Sequence, residues 1–162
     1  MIAKTVEESL NKQVNREFYS AYLYLAMSSY FENENLKGFA HWMRVQSKEE
    51  QVHAMKIFDY IIQRGGKAEL APIEAPKAKW SSAGKVFEEA YAHEQKVTGM
   101  INALVELSAR EKDYATFEML NWFVKEQVEE EKQVSEVLAQ IKMIGDAPGH
   151  LLYIDRHVGK RE

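Results

Sequence analysis

Apolar residues return at three- and four-residue steps along most of this chain. In the first segment Leu10, Val14, Phe18, Ala21, Tyr22 and Leu25 form such a stripe, the spacing of one helical face. Thr5, with Glu8 three residues on, predicts a capping box at its start. The polar run Glu32-Asn33-Glu34-Asn35 predicts its end. A second helix is predicted from about Leu36 to Arg64, with Gly65-Gly66 as its stop. A third is predicted from about Ser82 to Glu111 and a fourth from Tyr114 to Ile144, entered through a Lys112-Asp113 turn with Asp113 as N-cap. Gly145 stops the fourth. Asp146 is predicted to cap a short fifth helix that carries Pro148 in its first turn and ends near His157.

Four helices of roughly 28 residues would each be about 42 Å long. With two tight turns, this reads as an all-α, up-down four-helix bundle plus the short C-terminal fifth helix. The stretch from Gly65 to Ser81 holds Pro72 and Pro76. Fully extended it could reach about 55 Å, so it can cross the whole bundle and set the third helix parallel to the second. A length of 162 residues fits a single domain over 1–162.

The apolar faces are interrupted in a pattern. Glu17 lies in the first helix, Glu50 and His53 in the second, Glu94 in the third, and Gln127 and Glu130 in the fourth. A shift of 77 residues carries Glu17, Glu50 and His53 onto Glu94, Gln127 and Glu130, and Glu49 onto Glu126. The two helical hairpins are thus in register. In each hairpin the residues lie at similar distances from the turn, so all six side chains can meet at one height. Residues three apart share a helical face, so Glu50 points with His53 and Gln127 with Glu130.

Taken singly, these residues have ordinary readings. A lone Glu on a helix is usually solvated, a lone His is more often a core residue than a ligand, and Glu129-Glu130-Glu131 would pass for an exposed acidic face. The matched spacing changes this. Four carboxylates at one height in a core would be very costly to bury unpaired. No Lys or Arg shares the positions, which points to cations from outside. Carboxylates with one imidazole suit iron or manganese, with Glu50 as the candidate bridge between two ions.

Composition narrows the class. There is no cysteine, which removes disulfide scaffolds, thiolate metal sites and thiol catalysis together. A net charge of -4 argues against a nucleic-acid binder. The N-terminal stretch MIAKTVEESLNKQ lacks a signal-peptide core, and no run approaches a membrane span. The expectation is a cytoplasmic protein with neither nucleic-acid nor membrane partners.

The segments NREFYSAYLYLAM, EEQVHAMKIFDYI, YAHEQ and NWFVKEQVEEEK resemble the bacterial non-haem ferritins, and the likeness runs over essentially the full chain. The resemblance implies iron storage, with ferroxidase chemistry that oxidises Fe(II) with O2 and deposits ferric oxyhydroxide mineral inside a homo-oligomeric shell of 24 subunits. It implies a first iron held by Glu17, Glu50 and His53, and a second held by Glu94 and Glu130, with Glu50 bridging and Gln127 beside the pair. It also implies a third iron on Glu49, Glu126, Glu129 and Glu130. Tyr24 resembles the family tyrosine near the centre, there to bond Glu94 or supply an electron; its plainer reading is a core aromatic. Trp122 reads as core packing beside the site. The fifth helix, with Leu151, Leu152 and Ile154, would sit at fourfold axes, or else pack on its own bundle. The second half reads Gln127-x-x-Glu130 rather than Glu-x-x-His, and Gln51 follows Glu50, so no haem is expected. Two other readings stay open: a di-metal oxygenase or catalase on the same bundle, and a structural bundle whose carboxylates are exposed.

Overall fold

The computed structural model describes residues 2–145 and 147–162. Five helices follow one another: α1 (Lys4–Asn33), α2 (Lys37–Gln63), α3 (Ala83–Arg110), α4 (Tyr114–Ile144) and α5 (Pro148–Val158). There is no strand among the described residues. None of these helices is long and apolar enough to cross a membrane.

The start of the first helix differs from expectation, and that of the third matches it. α1 begins at Lys4 with Ala3 as N-cap and no side-chain cap bond. The predicted capping box does not form, because Thr5 is already inside the first turn, where its carbonyl accepts a hydrogen bond from Ser9 Oγ. α3 begins at Ala83; Ser82 is its N-cap, and the Ser82 hydroxyl accepts from the Lys85 N–H at 3.2 Å. Asp113 caps α4 as expected, accepting from the Thr116 N–H at 3.1 Å. The predicted Asp146 cap lies outside the described residues; the N-cap of α5 is Ala147.

The two tight turns are copies of each other. Among the described residues, Asn35 and Lys112 are the non-glycine residues with positive φ, at 59° and 55°, and they stand 77 positions apart. In both, the chain closes with the same pair of bonds. Leu36 N–H reaches Phe31 O and Asp113 N–H reaches Ser108 O; Asn35 N–H reaches Glu32 O and Lys112 N–H reaches Ala109 O. This is a helix end sealed by one left-handed residue. The hairpin repeat therefore extends from the polar side chains to the turn backbone that sets their height.

Two apolar clusters show the helix directions. One joins Leu23–Phe31 of α1, Phe39–Met43 of α2, Ala83–Ala90 of α3 and Val134–Ile141 of α4. The other joins Val6–Val14, Ile57 and Ile61, Val97–Leu104, and Leu120 with Phe123. Residues early in α2 thus meet residues early in α3, so those helices run parallel and the connection between them spans the bundle. That strap is tied to the outside of α1. Asn11 donates to Lys67 O and accepts from Glu69 N–H, and Asn15 donates to Ala71 O and Pro72 O.

α5 folds back onto its own subunit, against α2 and α4. Leu151 and Ile154 are buried there, while Leu152 is 48% exposed. The expected apolar face for a fourfold axis is therefore divided, because the i, i+3 pair turns inward. The first-helix stripe is divided too: Leu10, Val14 and Ala21 are buried, but Tyr22 and Leu25 face outward. The seat of α5 is a close backbone approach. Asp155 Oδ1 accepts from the Phe39 N–H at 2.8 Å, capping the first turn of α2 from a distance of 116 residues. A Cβ on Gly38 would lie 1.7 Å from Asp155 O, so only glycine fits there.

Gly38→Ala should therefore loosen α5 and lower stability by about 2 kcal/mol or more, the range of steric overpacking plus a lost cap. Gly99 lies within α3 with nothing near its missing Cβ; Gly99→Ala should instead stabilise, by about 0.5–1 kcal/mol of helix propensity. Thermal midpoints of the two variants should move in opposite directions. A Gly38→Ala chain as stable as the parent would refute this account of the α5 seat.

Candidate metal centre

Between the two apolar clusters lies a polar layer. Glu17, Glu50, His53, Glu94, Gln127 and Glu130 are each 1–4% exposed. The helices bring them together from four sides. One ligand atom from each of Glu17, Glu50 and His53 lies within 4.8 Å of the other two. Glu50, Glu94 and Glu130 form a second such group, and His53, Glu126 and Glu130 a third. The first two groups share Glu50, a carboxylate with two oxygens that can serve two ions at once.

Hydrogen bonds fix most of these oxygens. Tyr24 Oη donates to Glu94 Oε1, and Gln127 Nε2 donates to Glu94 Oε2 at 3.1 Å. Gln127 is further held by Glu94 O and Thr98 Oγ1, each at 3.3 Å. Gln13 Nε2 donates to Glu17 Oε1 at 2.8 Å. Gln46 Nε2 donates both to Glu50 Oε1 at 2.9 Å and to Glu130 Oε2 at 2.6 Å, so one amide clamps carboxylates from the two hairpins. His53 is oriented by its neighbours: Nδ1 lies 3.4 Å from Glu50 Oε2, Nε2 lies 3.8 Å from Glu126 Oε1, and Trp122 meets the ring edge-on at 5.5 Å.

Gln13 and Gln46 escaped the sequence reading. Each stands four residues before a buried Glu, on the same helical face, and that spacing was the available signal. The repeat could not disclose them, because the positions 77 residues on are Ala90 and Phe123. Two residues expected at an outer iron are not gathered. Glu129 is exposed and joins none of the three groups among the described residues. Glu49 also stands outside them and pairs instead with Arg161 at 2.5 Å. Glu126 does join, beside His53 and Glu130.

The electrostatics ask for cations. Burial, and then the facing Glu50, raise the Glu17 carboxyl well above its ordinary range. Glu50 is raised by burial and by the charges of Glu94 and Glu130. Glu94 is raised by burial, against the pull of its Tyr24 and Gln127 bonds. Burial and the Glu94 charge push Glu130 up to about 8. Glu17 Oε2 is buried with no N–H or hydroxyl donor, and faces only the Glu50 carboxyl, which can bond it when one of the two is protonated. Among the described residues, no Lys or Arg side chain enters the layer's hydrogen bonds. A carboxylate oxygen without such a donor, among raised carboxyls, is a fitting donor set for divalent cations, with hard oxygen donors and one imidazole.

These shifts have a sign. A carboxyl raised in the folded state holds its proton more tightly there than in the unfolded chain. Its stabilising effect is complete below the unfolded value of about 4.3 and disappears as pH climbs through the folded value. For Glu130 that window closes near pH 8. Metal-free protein should therefore melt at lower temperature at pH 8 than at pH 5.5, and a saturating divalent cation should reverse the loss. A thermal midpoint of metal-free protein that rises between those pH values would contradict the arrangement.

Comparisons with known proteins give the family of the whole chain. Residues 7–144 match the family model described as "Ferritin-like domain". Over 99% of this chain and 100% of its relative, it is 44% identical to a bacterial non-heme ferritin of Bacteroides fragilis. A bacterial non-heme ferritin of Staphylococcus aureus is 39% identical over 99% of this chain and 97% of its own length. Among solved structures, an open pore ferritin from the hyperthermophilic archaeon Archaeoglobus fulgidus superposes with a TM-score of 0.98 at 46% identity, covering 100% of both chains. A chain with this helical order, this buried acidic layer and these full-length likenesses belongs to the ferritin-like family.

Proposed function

We propose that this protein is the subunit of an iron-storage shell and that its buried acidic layer is a ferroxidase centre. The observation that carries the reading is the overlap of two ligand groups at Glu50 within a layer of raised carboxyls where one oxygen, Glu17 Oε2, receives no N–H or hydroxyl donor. Iron is substrate and cargo here. Glu17, Glu50 and His53 would receive one Fe(II), and Glu94, Glu130 and the shared Glu50 a second. Each Fe(II) gives one electron to O2. Hard anionic oxygens favour Fe(III) over Fe(II), which promotes that loss.

The protein's own groups prepare the reaction. Gln46 holds Glu50 and Glu130 at fixed separation, and Tyr24 with Gln127 holds both oxygens of Glu94. The raised carboxyls surrender protons as cations enter, so charge in the layer stays near balance. Phe31, Phe39 and Phe87 on one side and Leu120 with Phe123 on the other keep bulk water out. Storage needs an enclosure, which a single bundle lacks. A homo-oligomeric cage of 24 copies is the proposed assembly, and the outward Tyr22, Leu25, Leu70 and Tyr153 are apolar surface available for it.

Glu50→Ala removes the shared ligand and should slow initial Fe(II) oxidation by about tenfold or more, a conservative loss for a metal-held reaction, with the particle's mass in solution unchanged. Stopped-flow absorbance after aerobic Fe(II) addition reads the rate, and light scattering reads the mass. An undiminished initial rate would remove the assignment. Iron retained far beyond the ligand sets separates storage from a di-metal catalyst, which would hold only its own ions.

A further inference from the structure

His53 presents its two nitrogens to different sides of the layer. Nδ1 lies 3.4 Å from Glu50 Oε2, on the side of the group that Glu17 completes. Nε2 lies 3.8 Å from Glu126 Oε1, on the side of the group that Glu130 completes. An imidazole ligates a metal through one nitrogen and keeps its proton on the other, so the ring can serve only one of these groups. Burial and sharing decide which. Glu17, Glu50 and His53 are all buried, and Glu17 belongs to no other group. On the far side Glu126 is 31% exposed, and Glu130 already stands with Glu50 and Glu94. Placing the lone pair on Nδ1 gives each inner ion its own group and turns Nε2–H toward Glu126.

α4 is shaped to receive that side of the ring. Trp122 meets the imidazole edge-on with centroids 5.5 Å apart, and Phe123 does so at 6.0 Å, both at 76°. Glu126 follows them by four and three residues, on the same side of the helix. Two aromatic walls and one carboxylate therefore bound the imidazole along α4. Among the described residues His53 is the one ion-pair partner of Glu126, so nothing else on the chain draws this carboxylate away. The gap of 3.8 Å is longer than a hydrogen bond. A partly exposed side chain can close it by a change of rotamer, and contacts that are loose in an empty site commonly tighten when it fills. A carboxylate that accepts the far N–H of a ligating imidazole fixes its tautomer and orientation and makes the bonding nitrogen more basic.

We propose that Glu126 is a positioning residue for the first iron: it accepts the His53 Nε2–H and so holds the Nδ1 lone pair toward Glu17 and Glu50. The argument rests on the reading of the layer as a two-metal centre. It gives Glu126 a different task from the third-iron ligand that the family resemblance implies. The two tasks predict different losses when Glu126 is replaced.

The test uses crystals of the full-length protein equilibrated anaerobically with graded Co(II), where anomalous peak heights read the occupancy of each position separately. The parent should fill the pair of positions within the layer, with Glu126 turned to His53 Nε2. Glu126→Leu should weaken the ion at His53 by about tenfold or more, the usual size for loss of a carboxylate behind a ligating histidine. The ion at Glu94 and Glu130 should keep its affinity. Glu126→Gln, which keeps an acceptor but no charge, should recover part of the loss. Glu129→Gln removes a neighbouring charge that joins none of the groups, and should leave the ion at His53 unchanged. An ion at His53 that Glu126→Leu does not weaken would overturn the proposal. So would a Co(II) bonded to Glu126 in the parent at concentrations that fill the inner pair. Equal weakening of both ions, or an equal effect of Glu129→Gln, would overturn it too, because general support or charge alone would then explain the loss. A parent chain with no Co(II) in the layer would defeat the two-metal reading itself, and this proposal with it.

Discussion

Everything in this fold is arranged around acids placed where water cannot reach them. Glu17, Glu50, Glu94 and Glu130 occupy a layer that apolar clusters close off at both ends. Ionised together and unpaired, they would cost several kcal/mol each to bury. The protein meets this partly by protonation, which the raised carboxyls record, and partly by amide donors from Gln13, Gln46 and Gln127. Neither device removes the mutual repulsion once the carboxylates ionise. Divalent cations held where the four helices converge would. A site that is expensive when empty is a site with high affinity when filled.

The geometry that makes this possible is held by the ends of the helices rather than by the site. Asn35 and Lys112 turn the chain with the same backbone conformation and the same hydrogen bonds. Each turn fixes how far down its hairpin the ligands fall, so the hairpins present their acids at equal height. The strap from Gly65 to Ser81 then permits parallel α2 and α3, and its bonds to Asn11 and Asn15 keep it against α1. Asp155 closes the other end by capping α2 over Gly38.

Much of this was legible in the sequence because periodicity and repetition are local or self-referential signals. Helix bounds followed from Gly65, Asp113 and Gly145, whose roles depend on nearby backbone. The six polar residues of the layer followed from the 77-residue repeat. What escaped depends on long-range packing. Thr5 looks like a cap, yet the backbone is already helical at Lys4. Tyr22 and Leu25 fit an apolar stripe, yet they lie outside the arc that the neighbouring helices cover. Arg161 gave no signal, since nothing in a terminal Gly-Lys-Arg-Glu says that its guanidinium returns across 112 residues to Glu49. Gln46 was invisible for the opposite reason: its role is local, but its counterpart in the other hairpin is Phe123.

The central claim is that two ions share Glu50. Crystals of the protein loaded anaerobically with Fe(II), measured on either side of the iron absorption edge, test it directly. The account predicts two anomalous peaks per subunit inside the bundle, about 3.5–4 Å apart as in other two-metal sites, with Glu50 between them. A single peak there, or iron confined to surface carboxylates while the buried layer stays free of it, would contradict the account.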